Sequence, residues 1–200
     1  MKKEAIIIFV RNPELGKVKT RLAGEIGEVQ ALQVYKDLLE HTHAVTAVMD
    51  FDKFVYYADK IAISDLWEND LFEKRLQEGH HLGDKMRQAF LELFTLGYSK
   101  LVIIGSDCPG LKSSILEEAF NKLGSHDVVI GPSPDGGYYL LGLTQLIPGL
   151  FENKEWSTPS VRADTTRDIV RSGKQYILLT ELGDIDTAAD LYRYRQMTKT

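Results

Sequence analysis

Apolar and polar positions along the chain alternate between two periods. An unbroken, β-branched apolar run from Ala5 to Val10 predicts a strand over residues 4–10 that is buried on both faces. Over residues 28–48 the spacing becomes helical, with Leu32, Tyr35, Leu38 and Leu39 on one face. Residues 53–58 predict a strand, and residues 71–76 a short one. Leu82, Met86, Phe90, Leu93 and Phe94 then recur at helical intervals over residues 82–96. Residues 100–105 form a second strongly apolar strand, followed by a helix over residues 112–123 with Ser113 and Ser114 available as caps. Strands over residues 127–131 and 138–143 are separated by Pro-Ser-Pro-Asp-Gly-Gly. Helices over 160–171 and 188–197 flank a last strand over 175–179.

This alternation predicts an α/β fold with a mostly parallel central sheet flanked by helices. No repeat or long linker divides the chain, so residues 1–200 are expected to form one domain. Ligands of such sheets bind beyond the carboxyl ends of the strands. The residues just after each strand therefore carry the functional argument.

The loop after the first strand reads Arg11-Asn12-Pro13-Glu14-Leu15-Gly16-Lys17-Val18-Lys19-Thr20-Arg21, with four cations in eleven residues. Backbone N–H groups and clustered Lys and Arg cradle phosphates, Arg as a bidentate fork and Lys as a point charge. Arg11, Gly16, Lys17, Lys19 and Arg21 are accordingly the candidate phosphate-binding set. Neither a Walker loop nor a Gly-x-Gly-x-x-Gly turn is present.

Gly105-Ser106-Asp107-Cys108-Pro109 follows the second buried strand and places a carboxylate at its end. Mg²⁺ takes one or two carboxylates and completes its shell with phosphate oxygens and water, so Asp107 is a candidate metal ligand. The competing reading is a helix cap. Asp135-Gly136-Gly137-Tyr138 is either hairpin chemistry or a place where a substrate approaches the backbone beside a ring. Asp186 or Thr187, just before the last helix, is first read as its N-cap, with Asp190 suited to the helix start. Asp186 gains a second meaning, as a metal ligand, if it lies beside Asp107. His41, His43, His80 and His81 are expected at the surface, and Cys108 as a packing residue. Trp156, in a loop-like stretch, is a packing residue that could border a pocket.

Composition narrows the partners. A net charge of -5 disfavours a duplex-wrapping protein without opposing a local nucleotide site. One cysteine excludes a disulfide framework. No apolar run approaches the roughly 20 residues of a membrane span. A cytoplasmic protein without nucleic-acid partner is the expectation.

Together these segments resemble bacterial GT-A-like proteins described as glycosyltransferase-like or nucleotide-diphospho-sugar transferase-like. The matching stretches run from Ile6-Ile7-Ile8-Phe9, Pro13, Gly16 and residues 17–22, through residues 105–109, Gly131-Pro132 and residues 135–140. They continue with Phe151, Trp156-Ser157-Thr158 and residues 184–187. Lys85 stands where that family more often carries Arg.

The resemblance implies a Rossmann-like GT-A fold and a divalent cation, Mg²⁺ or Mn²⁺, on Asp107 with Asp186 as second carboxylate. It implies a metal-dependent transferase in which Asp107, Lys19 and Arg21 act on an NTP or an NDP-sugar. Asp135, Gly136, Gly137, Tyr138 and Trp156 would border a small-molecule acceptor. Glycosyl and nucleotidyl transfer fit equally at this point, with a catalytically silent nucleotide-binding or scaffold module as the rival.

Overall fold

The structure, a computed structural model, describes residues 3–197. Its strands are β1 (Lys3–Val10), β2 (Asp52–Tyr57), β3 (Glu73–Leu76), β4 (Tyr98–Ile104), β5 (Val128–Pro132), β6 (Tyr138–Leu143) and β7 (Tyr176–Leu178). The helices are α1 (Thr20–Ile26), α2 (Glu28–Ala47), α3 (Leu82–Thr95), α4 (Ser113–Lys122), α5 (Val161–Arg171) and α6 (Ala188–Met197). One seven-stranded sheet runs β3-β2-β1-β4-β6-β5-β7. Only β6 is antiparallel to its neighbours, pairing Ile104 with Leu140 on one side and Ile130 with Leu141 on the other.

The apolar runs are at the centre because both faces of the sheet are covered. Ile6, Ile8, Val102 and Ile104 face a cluster completed by Tyr35 and Leu39 of α2 and Leu116 and Phe120 of α4. The alternate residues Ile7, Leu101 and Ile103 face Met86, Phe90 and Leu93 of α3 and Ile169 of α5. Strand side chains alternate between faces, so a run apolar at every position serves both layers. A third cluster joins Leu22 of α1, Ala31, Val34 and Leu38 of α2, and Ile185 and Leu191.

Two local expectations are corrected. Residues 20–26 form α1 instead of continuing the loop, and only Leu22 of that helix is buried. Lys112 is the N-cap residue of α4 and makes no side-chain cap bond, so neither Ser113 nor Ser114 caps it. Among the described residues, no helix is long and apolar enough to cross a membrane.

Strand direction places the functional segments together. Strands β1, β2, β3 and β4 are mutually parallel, and β5 and β7 run the same way because β6 alone reverses. The loops after β1, β4, β5 and β7, and the start of α3, therefore open on one edge of the sheet.

Candidate active site

The Tyr35 hydroxyl links the first two loops. It accepts from the Arg11 N–H at 2.8 Å, lies 3.1 Å from the Arg11 carbonyl and 3.3 Å from Ser106 Oγ. Burial holds the phenol above its ordinary pKa, so it stays neutral and able to donate as well as accept. The buried Asn12 side chain accepts from the Lys60 N–H and donates to the Lys60 carbonyl, tying the same loop to the segment after β2.

The strap after β7 completes the site. The Leu179, Leu182 and Ile185 N–H groups donate in turn to the carbonyls of Ile130, Pro132 and Asp107. Ile185 is buried against α1 and α2, so the acids flanking it, Asp184 and Asp186, turn toward the sheet edge.

A lysine lies at the centre of this arrangement. Lys19 Nζ is 3.0 Å from Asp107 Oδ2 and 4.0 Å from Asp186 Oδ1, and its side chain is only 6% exposed. Its backbone is left-handed (φ 48°, ψ 46°) at the start of α1. A non-glycine residue in this conformation costs about 1 kcal/mol or more and signals a position held by its surroundings. Arg21 Nη1 binds Asp186 Oδ2 at 2.9 Å from the solvent side. Partial burial and the charge of Asp107 push the Asp184 carboxyl up to about 6, while Lys19 opposes the shift.

The other candidate phosphate ligands are looser. Lys17 is exposed and points to Glu14 at 2.6 Å; Glu14 also meets Lys60 at 2.8 Å. The two ammonium groups hold the Glu14 carboxyl down at about 2. Arg11 is exposed, and Gly16 takes φ 75°, open to glycine without strain.

Asp135 builds its own turn, accepting from the Ser133 hydroxyl and, at 3.0 Å, from the Gly137 N–H. Its charge also reaches Asp184. Gly136 adopts φ 88°, and a Cβ there would lie 2.1 Å from the Pro159 carbonyl oxygen. A Cβ on Gly83, in the first turn of α3, would lie 2.4 Å from the Trp156 indole nitrogen. Tyr138 turns its hydroxyl inward, beside Thr165 but without sound hydrogen-bond geometry.

Residues expected elsewhere have structural partners. Burial pushes the Cys108 thiol up to about 12, which leaves it a packing group. Contrary to the surface expectation, His41 and His43 are half-buried, bonded to the Leu111 carbonyl and Glu68 respectively. His81 caps α3 by accepting from the Asp84 N–H. Thr187, not Asp186, caps α6: its hydroxyl accepts from the Asp190 N–H, and Asp190 accepts from the Asp186 and Thr187 N–H groups. Asp186 is thereby left free of the capping role. Sequence reasoning missed Tyr35, Asn12 and Asp184. The Asp-Ile-Asp alternation was the available signal for Asp184.

Among the described residues, no three His, Cys, Asp or Glu side chains gather as a ready-made metal cage. Asp107 and Asp186 do converge on one cationic group, Lys19 Nζ. Two carboxylate arms suit a hard cation that brings phosphate oxygens and water for the rest of its shell.

The sheet order and this edge define the α/β fold shared by nucleotide-diphospho-sugar transferases and nucleotidyltransferases. Within it, the chain belongs to the family described as an uncharacterized protein conserved in bacteria (DUF2064), whose model matches residues 38–158. A Desulfovibrio desulfuricans structure, provisionally assigned as a nucleotide-diphospho-sugar transferase, superposes with TM-score 0.92 at 30% identity. That match covers 100% of this chain and 89% of the other.

A 2-phospho-L-lactate guanylyltransferase from Methanocaldococcus vulcanius is 26% identical over 139 residues, 69% of this chain and 61% of that protein. The match therefore spans less than two thirds of that relative's length. CMP:2-keto-3-deoxy-manno-octonic acid synthetase, in complex with CTP, shares the fold at TM-score 0.61 and 11% identity, covering 99% of each chain.

Proposed function

We propose that this protein is a metal-dependent nucleotidyltransferase, joining the nucleotidyl part of an NTP to a small acceptor that carries a phosphate. The observation that carries the reading is the buried Lys19 between Asp107 and Asp186, with Arg21 on the same Asp186 and further cations, Arg11 and Lys17, in the same loop after β1. A triphosphate needs several cations, and an acceptor that is already ionised needs no general base.

In this reaction the acceptor oxygen attacks the α-phosphorus, the α–β phosphoanhydride bond breaks, and pyrophosphate leaves with the electron pair. Lys19 and Arg21 hold the phosphate oxygens and keep attacking and leaving groups in line. Asp107 and Asp186 would hold Mg²⁺ or Mn²⁺, which supplies charge neutralisation on the phosphates when bound. The acceptor would lie at the sheet edge beside the Asp135-Gly136-Gly137 turn, which is itself packed against the loop carrying Trp156, with Tyr138 and Trp156 forming its border. The guanylyltransferase and CTP-binding relatives favour this class.

The Desulfovibrio likeness favours a second reading, transfer of a sugar from an NDP-sugar. A panel of NTPs and NDP-sugars with Mg²⁺ or Mn²⁺ separates them. Pyrophosphate release is expected; nucleoside diphosphate release without pyrophosphate would replace the first reading with the second. Asp107→Ala is expected to abolish metal-dependent nucleotide binding. Unchanged binding in that variant, with no turnover by the wild type, would leave a catalytically silent nucleotide-binding module.

A further inference from the structure

We propose that Lys19 is a resident counter-ion, holding the cation position between Asp107 and Asp186 until a triphosphate draws it out. A divalent cation then loads together with the nucleotide and not ahead of it. The inference rests on the nucleotidyltransferase reading and adds an order of binding to it.

The geometry is specific. Lys19 Nζ lies at hydrogen-bond distance from Asp107 and 4.0 Å from Asp186, with its side chain 6% exposed. A surface lysine that merely decorated the loop would keep its ammonium in water, as Lys17 does at 68% exposure. Lys19 instead carries its charge inward from a left-handed backbone that lysine seldom adopts. Arg21 takes the other oxygen of Asp186, so each carboxylate has a cationic side chain as its partner.

A hard cation on Asp107 binds at about 2.0–2.1 Å from its oxygen. With Nζ at 3.0 Å from Asp107 Oδ2, that position lies within a few ångströms of the ammonium. Like charges at such spacing repel strongly in a partly buried site. A free metal ion between the two carboxylates is therefore opposed by the Lys19 charge, or displaces the ammonium into water with no phosphate to pair it. A triphosphate changes the balance. Its oxygens offer the ammonium new partners, and the flexible four-carbon stem lets Nζ leave while the backbone stays in place. The same move frees Asp107 and Asp186 for the metal that the phosphates carry.

The test is calorimetric titration of the full chain with MnCl₂ alone, then with Mn²⁺-GTP and Mn²⁺-CTP. The wild type is expected to bind Mn²⁺ alone weakly. Lys19→Met should tighten that binding about tenfold or more by removing the competing charge. Lys19→Gly should do the same and suits the left-handed backbone, which guards against a folding failure of the first variant. Lys19→Arg keeps the cation and should stay as weak as the wild type. Adding Asp107→Asn to Lys19→Met should return binding to the weak level.

Wild-type binding of Mn²⁺ alone as tight as in Lys19→Met overturns the proposal. So does tightened binding that survives Asp107→Asn. Failure of the nucleotidyltransferase reading would show separately, as a wild type that binds neither Mn²⁺-nucleotide however Mn²⁺ alone behaves.

Discussion

The two halves of the ligand edge are built by different physics. Around Lys19 the structure is held by charge: Asp107, Asp186 and Arg21 each contact an opposite charge, and hydrogen bonds from Tyr35 and Asn12 lock the loops. Around Gly136 and Trp156 it is held by shape. There, glycines admit a carbonyl and an indole ring at distances that no side chain would allow. The Tyr138 hydroxyl, the Trp156 indole N–H and the Thr165 hydroxyl are all buried without hydrogen-bond partners. A charged half can rearrange when an ion or phosphate arrives, because its partners are exchangeable. A half fixed by steric contact is preformed. The two halves should thus differ in their tolerance of substitution.

The largest stability effect is expected at Gly136. An added Cβ would meet the Pro159 carbonyl oxygen at 2.1 Å from a backbone of φ 88°. Strain and overpacking together predict a loss of about 2–4 kcal/mol for Gly136→Ala in chemical denaturation. A loss below about 1 kcal/mol would show that this turn yields, and the contrast between the two halves would fail. Gly83→Ala is expected to cost somewhat less, about 1–3 kcal/mol, because its neighbour is the Trp156 side chain and not main chain. The ring must move, so Trp156 fluorescence should change as well. An unaltered emission spectrum would contradict the contact.

A smaller effect of opposite sign belongs to the charged half. The Asp184 carboxyl titrates near 6 in the folded protein, above its ordinary 3.8. The folded state therefore binds this proton more tightly than the unfolded chain. Ionised Asp184 weakens the fold, and stability from this group falls as pH rises from about 4 through about 6. Asp184→Asn should stabilise metal-free protein at pH 7 by about 1–2 kcal/mol, allowing for solvent screening, with no gain at pH 3.5. An equal gain at both pH values would assign the effect to packing instead of charge.

The charged half was also the more legible of the two in the sequence. Apolar runs at Ala5–Val10 and around Leu101–Ile104 announce central strands, and position alone marks Arg11–Arg21 and Asp107 as the residues beyond their ends. What no periodicity could show is which cation meets which acid. Lys17, Lys19 and Arg21 look alike in sequence, yet one is buried on Asp107, one binds a loop glutamate and one covers Asp186. That sorting comes from α1, whose sparse apolar positions, Leu22, Ala23 and Ile26, resemble a loop until α2 and α6 give them a face. The meeting of Asp186 with Lys19 depends on the strap over β5, a contact set by main-chain hydrogen bonds to Ile130, Pro132 and Asp107. In the shape-held half, glycine and aromatic residues were visible as types, but close approach exists only in three dimensions. Gly83 in particular sits in a helix, where sequence offers no reason for its absent Cβ.

The smallest effect is expected from Tyr138→Phe, and it is the finest probe of the contrast. The residue packs its ring against the core formed by α3, α5 and the sheet, so phenylalanine keeps the buried apolar contact. Its hydroxyl is buried with no partner, and burial alone raises its pKa far above the ordinary phenol value. A tyrosine hydroxyl with a good hydrogen bond contributes about 1 kcal/mol, whereas an unpaired one pays desolvation without return. Removing it should therefore leave stability within about 0.5 kcal/mol of wild type, or raise it slightly. A loss above about 1.5 kcal/mol would mean that the hydroxyl has a partner in solution, such as a buried water shared with Thr165. The shape-held half would then contain a polar network of its own, and its division from the charge-held half would have to be redrawn.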